Sequence, residues 1–492
     1  MTQIAIPGGT IQGFSEHGNF CFLSVPYAAP ITSERRFLAP QPVEPWTGVR
    51  DATRLGPVCP QIPTYGPVGK GAASTLVQGS DFLTLNIRTP SLKGRAPVLV
   101  WVHGGGYAVG SANEPVLQSG AFAQSGVVEI TVNYRLSALG FLHIDGHPDN
   151  RGLLDLLAAL RWVKDNIEKF GGDPDRVTFA GRSAGGFAIA AVMAMPAARG
   201  LFSRAMPQSG ASTAIAGIDD ARKLTNRMAT ALGTDQAGIL AAPIETLLIA
   251  QRDLCNQSYE QHDYDRDGDA AMLGVPFVPI IDGASLFEHP EAAAHAGRTA
   301  PVPMMIGCTS AEYLTHSTIL PETLDFAGTA QLLHERVRPL GWTGEAIVGT
   351  YRKALPNHSP HGIWRAVAGD LVFQNPTTRF ARLHGKRHTV HKYLYGPILA
   401  DERGAAHGAE VGAVWFHEGM DTATQPERQR VADPLFAARV HAIWRAFIAD
   451  EPLPYDWPRY GEDAPTILHI DQGGIALERD GFADRLALWQ KP

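Results

Sequence analysis

The segment that most restricts the fold is Gly181-Arg182-Ser183-Ala184-Gly185, because of what stands on either side of it. Val177–Ala180 reads as a short strand, and Phe187–Met195 is wholly apolar and rich in alanine, as expected of a helix buried on most sides. A strand that passes into a helix through so tight a turn lifts its middle residue to the edge of a sheet, and the flanking glycines avoid β-carbon clashes. Upstream, Val98–Val102 is a continuous apolar run that ends in His103-Gly104-Gly105-Gly106, and Gly126–Val132 reads as the next strand. Leu153, Leu156, Leu157, Leu160, Val163 and Ile167 recur at helical spacing, with Lys164, Asp165 and Glu168 on the other side. Phe170-Gly171-Gly172-Asp173-Pro174 closes that helix. Pro303–Ile306 and Thr389–Tyr395 are further strand candidates, and Ala437–Ala449 is a late helix. The alternation predicts an α/β fold, a mostly parallel sheet covered by helices on both faces.

The chain has 492 residues, and no segment carries a core and boundary of its own. We therefore expect a single domain over 1–492, with mainly helical insertions at about 215–300 and 315–385. Lys and Arg number 42 against 49 Asp and Glu, a net charge of −7, the wrong sign for coating nucleic acid or an anionic membrane. Apolar runs fall short of the roughly 20 residues a membrane helix needs. The N-terminus has neither the basic nor the apolar region of a signal peptide, so a cytoplasmic location is expected. Cys21, Cys59, Cys255 and Cys308 are scattered and form no CxxC pair, which fits a reducing compartment and gives no metal site. Asp263-Tyr264-Asp265-Arg266-Asp267-Gly268 opens like a calcium loop, but Gly274 stands where the bidentate glutamate is needed. That stretch is expected to be a solvated acidic loop, and no metal or cofactor is expected anywhere.

A serine hydroxyl is a poor nucleophile until it is exposed beside a base, and the turn at Ser183 supplies the exposure. It also aims the N-terminus of the following helix at the reaction centre, so the Ala184 N–H becomes a donor for a developing oxyanion. Gly105 and Gly106 would supply further N–H donors, since only glycines let backbone approach a substrate oxygen unobstructed. A phosphate-cradling loop is the competing reading; no GK[ST] follows and no GxGxxG fits.

These two glycine motifs sit among others that together resemble the type-B carboxylesterase/lipase family, the α/β-hydrolase group of cholinesterases and bacterial p-nitrobenzyl esterases. The resemblance covers nearly the whole chain: Ser24-Val25-Pro26-Tyr27-Ala28, Arg36-Phe37, Trp46-Thr47-Gly48-Val49, Leu83-Thr84-Leu85-Asn86, Asn133-Tyr134-Arg135-Leu136, Phe170–Pro174, Pro207-Gln208-Ser209-Gly210 and Ile281-Asp282-Gly283. The family's acid lies in a G-T-T-x-D-E-G segment, matched in part by Gly307-Cys308-Thr309-Ser310-Ala311-Glu312-Tyr313, so Glu312 takes that role. The family's histidine lies in G-A-x-H-G-x-E, matched by Gly404-Ala405-Ala406-His407-Gly408-Ala409-Glu410. The order Ser183, Glu312, His407 is the one the fold requires. Glu402 and Glu410 compete with Glu312 but lie too near His407 in sequence; His103, His417 and His441 are read as structural.

The resemblance implies a serine carboxylesterase working through an acyl-enzyme, with small to medium soluble esters and water as its partners. A lipase or an amidase/carbamate hydrolase on the same triad is the alternative, and a non-catalytic binding protein the rival from another class. A monomer is plausible. Two departures stand out. Arg182 precedes the nucleophile where the family usually has Glu, and is expected either to pair with a carboxylate or to reach solvent. Phe82 replaces a cysteine that would pair with Cys59. Residues 60–80, Trp364–Phe373, Trp415 and Phe416 are candidate pocket walls, each equally compatible with ordinary core packing.

Overall fold

The computed structural model describes residues 1–63, 76–314, 320–397, 404–418, 431–461, 463 and 465–489. Its sheet is parallel through the middle, in the spatial order Val128–Val132, Ala96–Val102, Gly172–Arg182, Arg204–Gln208, Met304–Thr309, Val390–Tyr395 and Thr466–Asp471. Beyond Val128–Val132 it continues antiparallel through Thr84–Thr89, Asn19–Pro26, Gly9–Glu16 and Thr2–Ile6; the other edge closes in a hairpin with Gly474–Arg479.

The apolar runs are buried because both faces of these strands are covered. Along Ala96–Val102 the side chains of Val98, Val100 and Val102 enter one core, while Leu99 and Trp101 enter the other, as the period of two demands. The first core takes Leu153, Leu156, Leu157, Leu160 and Val163 from the helix Arg151–Asn166, and Phe187 and Ile189 from Ala184–Ala194. The second takes Phe436, Val440, Ile443, Trp444 and Phe447 from Pro434–Ala449. The result is helix, sheet, helix.

Several element ends differ from expectation. The strand expected at Val177–Ala180 begins at Gly172, and Pro174 lies where the pairing register shifts between Ala96 and Val98, so its missing N–H costs no ladder bond. The Asp263 segment is not a solvated loop. It forms the short helix Tyr264–Asp267, which Asp263 caps by accepting Arg266 N–H, and Asp267 is buried in ion pairs with Arg227 and Arg266. The first of the two stretches, 215–300, carries the helices Ile218–Leu232 and Ile244–Glu260, and the second, 315–385, carries Phe326–Val337, Gly344–Ala354 and Asn375–Gly385. Residues 315–319 of the second stretch lie outside the described residues. Among the described residues no helix is long and apolar enough to cross a membrane.

Ala96–Val102 lies between Val128–Val132 and Gly172–Arg182, so the chain leaves it to one side and returns on the other. Connections diverge there and leave a crevice at the carboxyl ends of the strands. His103–Gly106 and Ser183 both sit at that point.

Candidate active site

Ser183 joins the strand Gly172–Arg182 to the helix Ala184–Ala194 with φ 58° and ψ −123°, a left-handed conformation that few side chains tolerate. Its N–H is held by Gln208 O at 2.9 Å and its carbonyl by Phe187 N–H at 2.9 Å. The flanking glycines are needed because the turn presses on the neighbouring strand: a β-carbon on Gly181 would lie 2.7 Å from Val102 O, and one on Gly185 2.2 Å from it. As first residue of its helix, Ala184 has no intrahelical acceptor for its N–H.

The glycine loop lies alongside. Gly105 (φ +114°) and Gly106 (φ +60°) make a turn in which Gly105 O accepts from Ala108 N–H and Val109 N–H, at 3.0 and 3.1 Å. A β-carbon on Gly105 would stand 1.9 Å from Val109 O, and one on Gly104 3.0 Å from Ser183 Cβ. The buried His103 ring braces this loop, with Nδ1 2.8 Å from Gly104 O and the ring 4.8 Å from that of Tyr134. Desolvation pulls its pKa down to about 4, against the Gly104 hydrogen bond and with the help of the Arg182 charge.

Glu312 follows the strand Met304–Thr309 and is buried. Its Oε1 accepts from Ser209 Oγ and from Thr309 N–H, both at 2.7 Å, and its Oε2 lies 2.5 Å from His407 Nδ1. The two loops are zipped together by Ala311 N–H to Ala405 O at 2.9 Å and Ala405 N–H to Ser310 Oγ at 3.0 Å. A turn of π-helix, Asp370–Gln374, serves the same region: Gln374 Nε2 donates to Thr309 O at 2.8 Å, and the Phe373 ring lies 4.9 Å from the His407 imidazole and 6.0 Å from Phe187. Phe373 thus ties the histidine to the helix that begins at the serine.

Of the three triad candidates, Glu312 and His407 are joined by a hydrogen bond. No hydrogen bond between described residues joins Ser183 Oγ to His407; serine and histidine share the crevice through Phe373 and through Arg182, which lies against both Gly104 and Gly408. Catalytic hydrogen bonds of this kind often tighten only when substrate is bound. Glu410 is buried near Tyr393 and Tyr395, whose hydroxyls are pushed upward by burial and, after it, by the Glu410 charge. Glu402 lies outside the described residues. His441 spans Val414 O and Ser125 Oγ at 2.8 and 3.0 Å, and His417 Nδ1 lies 2.9 Å from Glu418 O.

Trp415 and Phe416 are core rather than pocket, Trp415 packing edge-on against Trp101 and Phe122. Within the expected 60–80 wall, residues 64–75 lie outside the described residues, while Gln61 is buried and hydrogen-bonded to Gly110. All four cysteines are free and buried, and Phe82, at the position where the resemblance would put a partner for Cys59, is itself buried. Phe373 was read from sequence only as part of the candidate wall Trp364–Phe373, not as the ring on His407, and Ser209 was not seen as a donor to Glu312; nothing local in either stretch signals those contacts. Among the described residues no group of three His, Cys, Asp or Glu side chains could hold a metal.

A parallel α/β sheet with a strained serine at its topological switch point, and a carboxylate–histidine pair at the ends of later strands, defines an α/β-hydrolase. The carboxylesterase family profile matches residues 1–489. The para-nitrobenzyl esterase of Bacillus subtilis (strain 168) is 31% identical over 502 residues, covering 97% of this chain and 96% of that protein. Phenmedipham hydrolase of Pseudarthrobacter oxydans is 32% identical over 501 residues, with 96% and 95% covered. Among solved structures, a carboxylesterase of Geobacillus stearothermophilus superposes with TM-score 0.82 at 31% identity, with 100% of both chains covered. A PNB esterase superposes with TM-score 0.84 at 28% identity, with 100% of this chain and 99% of that one covered. The chain belongs to the carboxylesterase family. It is a carboxylic ester hydrolase of the serine type.

Proposed function

We propose that Ser183 is the nucleophile, His407 its general base and Glu312 the acid member, in a two-step acyl transfer on small to medium esters. The hydrogen-bonded environment of Glu312 carries this reading. A buried carboxylate with one oxygen saturated by Ser209 and Thr309, and the other presented to His407 Nδ1, fixes the tautomer in which Nε2 is the free base. His407 takes the Ser183 proton as the hydroxyl attacks the ester carbonyl. The Gly105, Gly106 and Ala184 N–H groups hold the oxyanion, each contributing roughly 3 kcal/mol to the transition state. The imidazolium, stabilised by Glu312, returns its proton to the departing alcohol. A water molecule, deprotonated by the same nitrogen, then releases the acid and regenerates Ser183.

The helices between 215 and 300 and between 320 and 385 serve as insertions of one catalytic domain. Four free, buried thiols support work in a reducing, cytoplasmic setting. A monomer acting on ester and water is the simplest assembly. Ser183→Ala is expected to lower kcat on p-nitrophenyl butyrate by roughly 10⁴–10⁶, and an organophosphate should label Ser183 alone. Labelling at another serine, or near-normal turnover by the variant, would overturn the assignment.

A further inference from the structure

Arg182 is 8% exposed, yet nothing described neutralises it. Among the described residues its guanidinium makes no hydrogen bond and no carboxylate lies within 4.0 Å of it, Glu410 included, although that residue follows only two positions after Gly408. None of its nitrogens is fully closed off from water, so its five N–H donors, unused by the protein, remain open to an acceptor that arrives from solvent. The obvious acceptors nearby are committed elsewhere: Gly104 O faces His103 Nδ1, and both oxygens of Glu312 are held by Ser209, Thr309 and His407. A brace between two loops would spend its donors on those loops; this one spends none.

Its course is defined by two glycines. A β-carbon on Gly408 would lie 2.7 Å from Arg182 Nη1, and one on Gly104 3.4 Å from Nη2. The guanidinium therefore runs from the glycine loop to the residue after His407. In the proposed mechanism His407 hands its proton to the leaving alcohol, which assigns a cation beside Gly408 to the alcohol side of the reacting ester. A second buried cation, Arg336, likewise has no ion pair among the described residues. It donates to Tyr313 Oη at 2.7 Å and faces the Tyr313 and Trp364 rings, which pack on toward Phe373. Relative to the family pattern, Arg182 for Glu and Ala311 for Asp both remove negative charge from this surround.

Given the reading of Ser183 as nucleophile, we propose that Arg182 recognises a carboxylate carried on the alcohol portion of the substrate, so that the preferred esters are anionic. A guanidinium forks onto a carboxylate through two parallel bonds, and in so shielded a place the attraction is little screened. The test uses phenyl butanoates bearing a meta carboxylate, methyl or trimethylammonium group. The wild-type kcat/KM should favour the carboxylate over the trimethylammonium ester by about a hundredfold beyond their alkaline hydrolysis ratio. Arg182→Gln should collapse that preference at least tenfold, and Arg182→Lys should retain part of it. Benzoate should inhibit the wild type competitively and far better than benzyltrimethylammonium, which needs no variant to fold. A wild-type preference that ignores substituent charge, or one that survives Arg182→Gln, overturns the proposal while leaving ester hydrolysis intact. Failure to hydrolyse all three esters would instead count against the triad itself.

Discussion

The two halves of the site are made of different material. On the proposed nucleophile side the groups assigned work are backbone: the strained turn at Ser183 and the amides of Gly105, Gly106 and Ala184. That side depends on atoms being absent, as the 2.2 Å and 1.9 Å clearances that β-carbons on Gly185 and Gly105 would leave make plain. On the acid–base side the working groups are side chains drawn from far apart, Ser209 and Glu312 separated by 103 residues and Glu312 and His407 by 95. That side depends on atoms being present. The first should be broken by adding a methyl group, the second by deleting or exchanging a single heteroatom.

The largest effect is expected from Glu312→Gln. The amide oxygen can still accept from Ser209 and Thr309, which leaves the NH₂ group facing His407 Nδ1. The ring then carries its proton on Nε2, where it cannot accept the serine proton. A fall in kcat of about 10⁴ is expected with the thermal midpoint little changed; a loss under tenfold would remove Glu312 from the triad. Gly105→Ala should cost less. The new methyl group would collide with Val109 O and turn the loop out of its φ of +114°, withdrawing oxyanion donors, for a loss of roughly 10²–10³ in kcat with KM nearly constant. A KM effect of the same size would place Gly105 in ground-state binding instead.

The same contrast explains what could be read without coordinates. The elbow and the glycine loop are written within a few residues, because a strand, a tight turn and a buried helix each leave a local pattern. The parallel sheet follows from apolar runs such as Val98–Val102 for the same reason. Glu312 and His407 were named only through resemblance to a family motif, since neither residue's surroundings in sequence says what it will meet. Ser209 as a donor, the Phe373 ring on the imidazole and the π-turn that carries it depend on contacts across more than thirty residues, and no periodicity encodes them. Trp415 and Phe416 were left open between wall and core, because an aromatic residue beside such a loop looks the same whether it lines a pocket or packs a core; the structure packs them in the core. The Asp263 segment misled in the opposite sense: its acidic residues suggest a wet loop until Arg227, distant in sequence, arrives to bury Asp267.

The smallest effect separates the two histidines. His407 is held by a carboxylate and, as the proposed base, gains a proton in every turnover. His103, on the nucleophile side, is shut away with a carbonyl and a tyrosine ring, and its pKa of about 4 in the fold stands below an unfolded value of 6.5. Below pH 6.5 the unfolded chain therefore binds a proton that the folded one refuses, and stability is lost as the pH falls toward 4; above pH 6.5 the contribution is complete. Each unit of that interval is worth about 1.4 kcal/mol, so His103 alone should remove about 2 kcal/mol between pH 7 and pH 5. His262 and His384, also held down by burial, add their own slopes in wild type and variant alike. Denaturant unfolding of His103→Asn at pH 7 and pH 5 should accordingly show a shallower acid dependence than wild type by about 2 kcal/mol, whatever its absolute stability. Parallel profiles would mean that the His103 ring is protonated in the folded loop, and that the two halves of the site do not differ in the way their histidines are held.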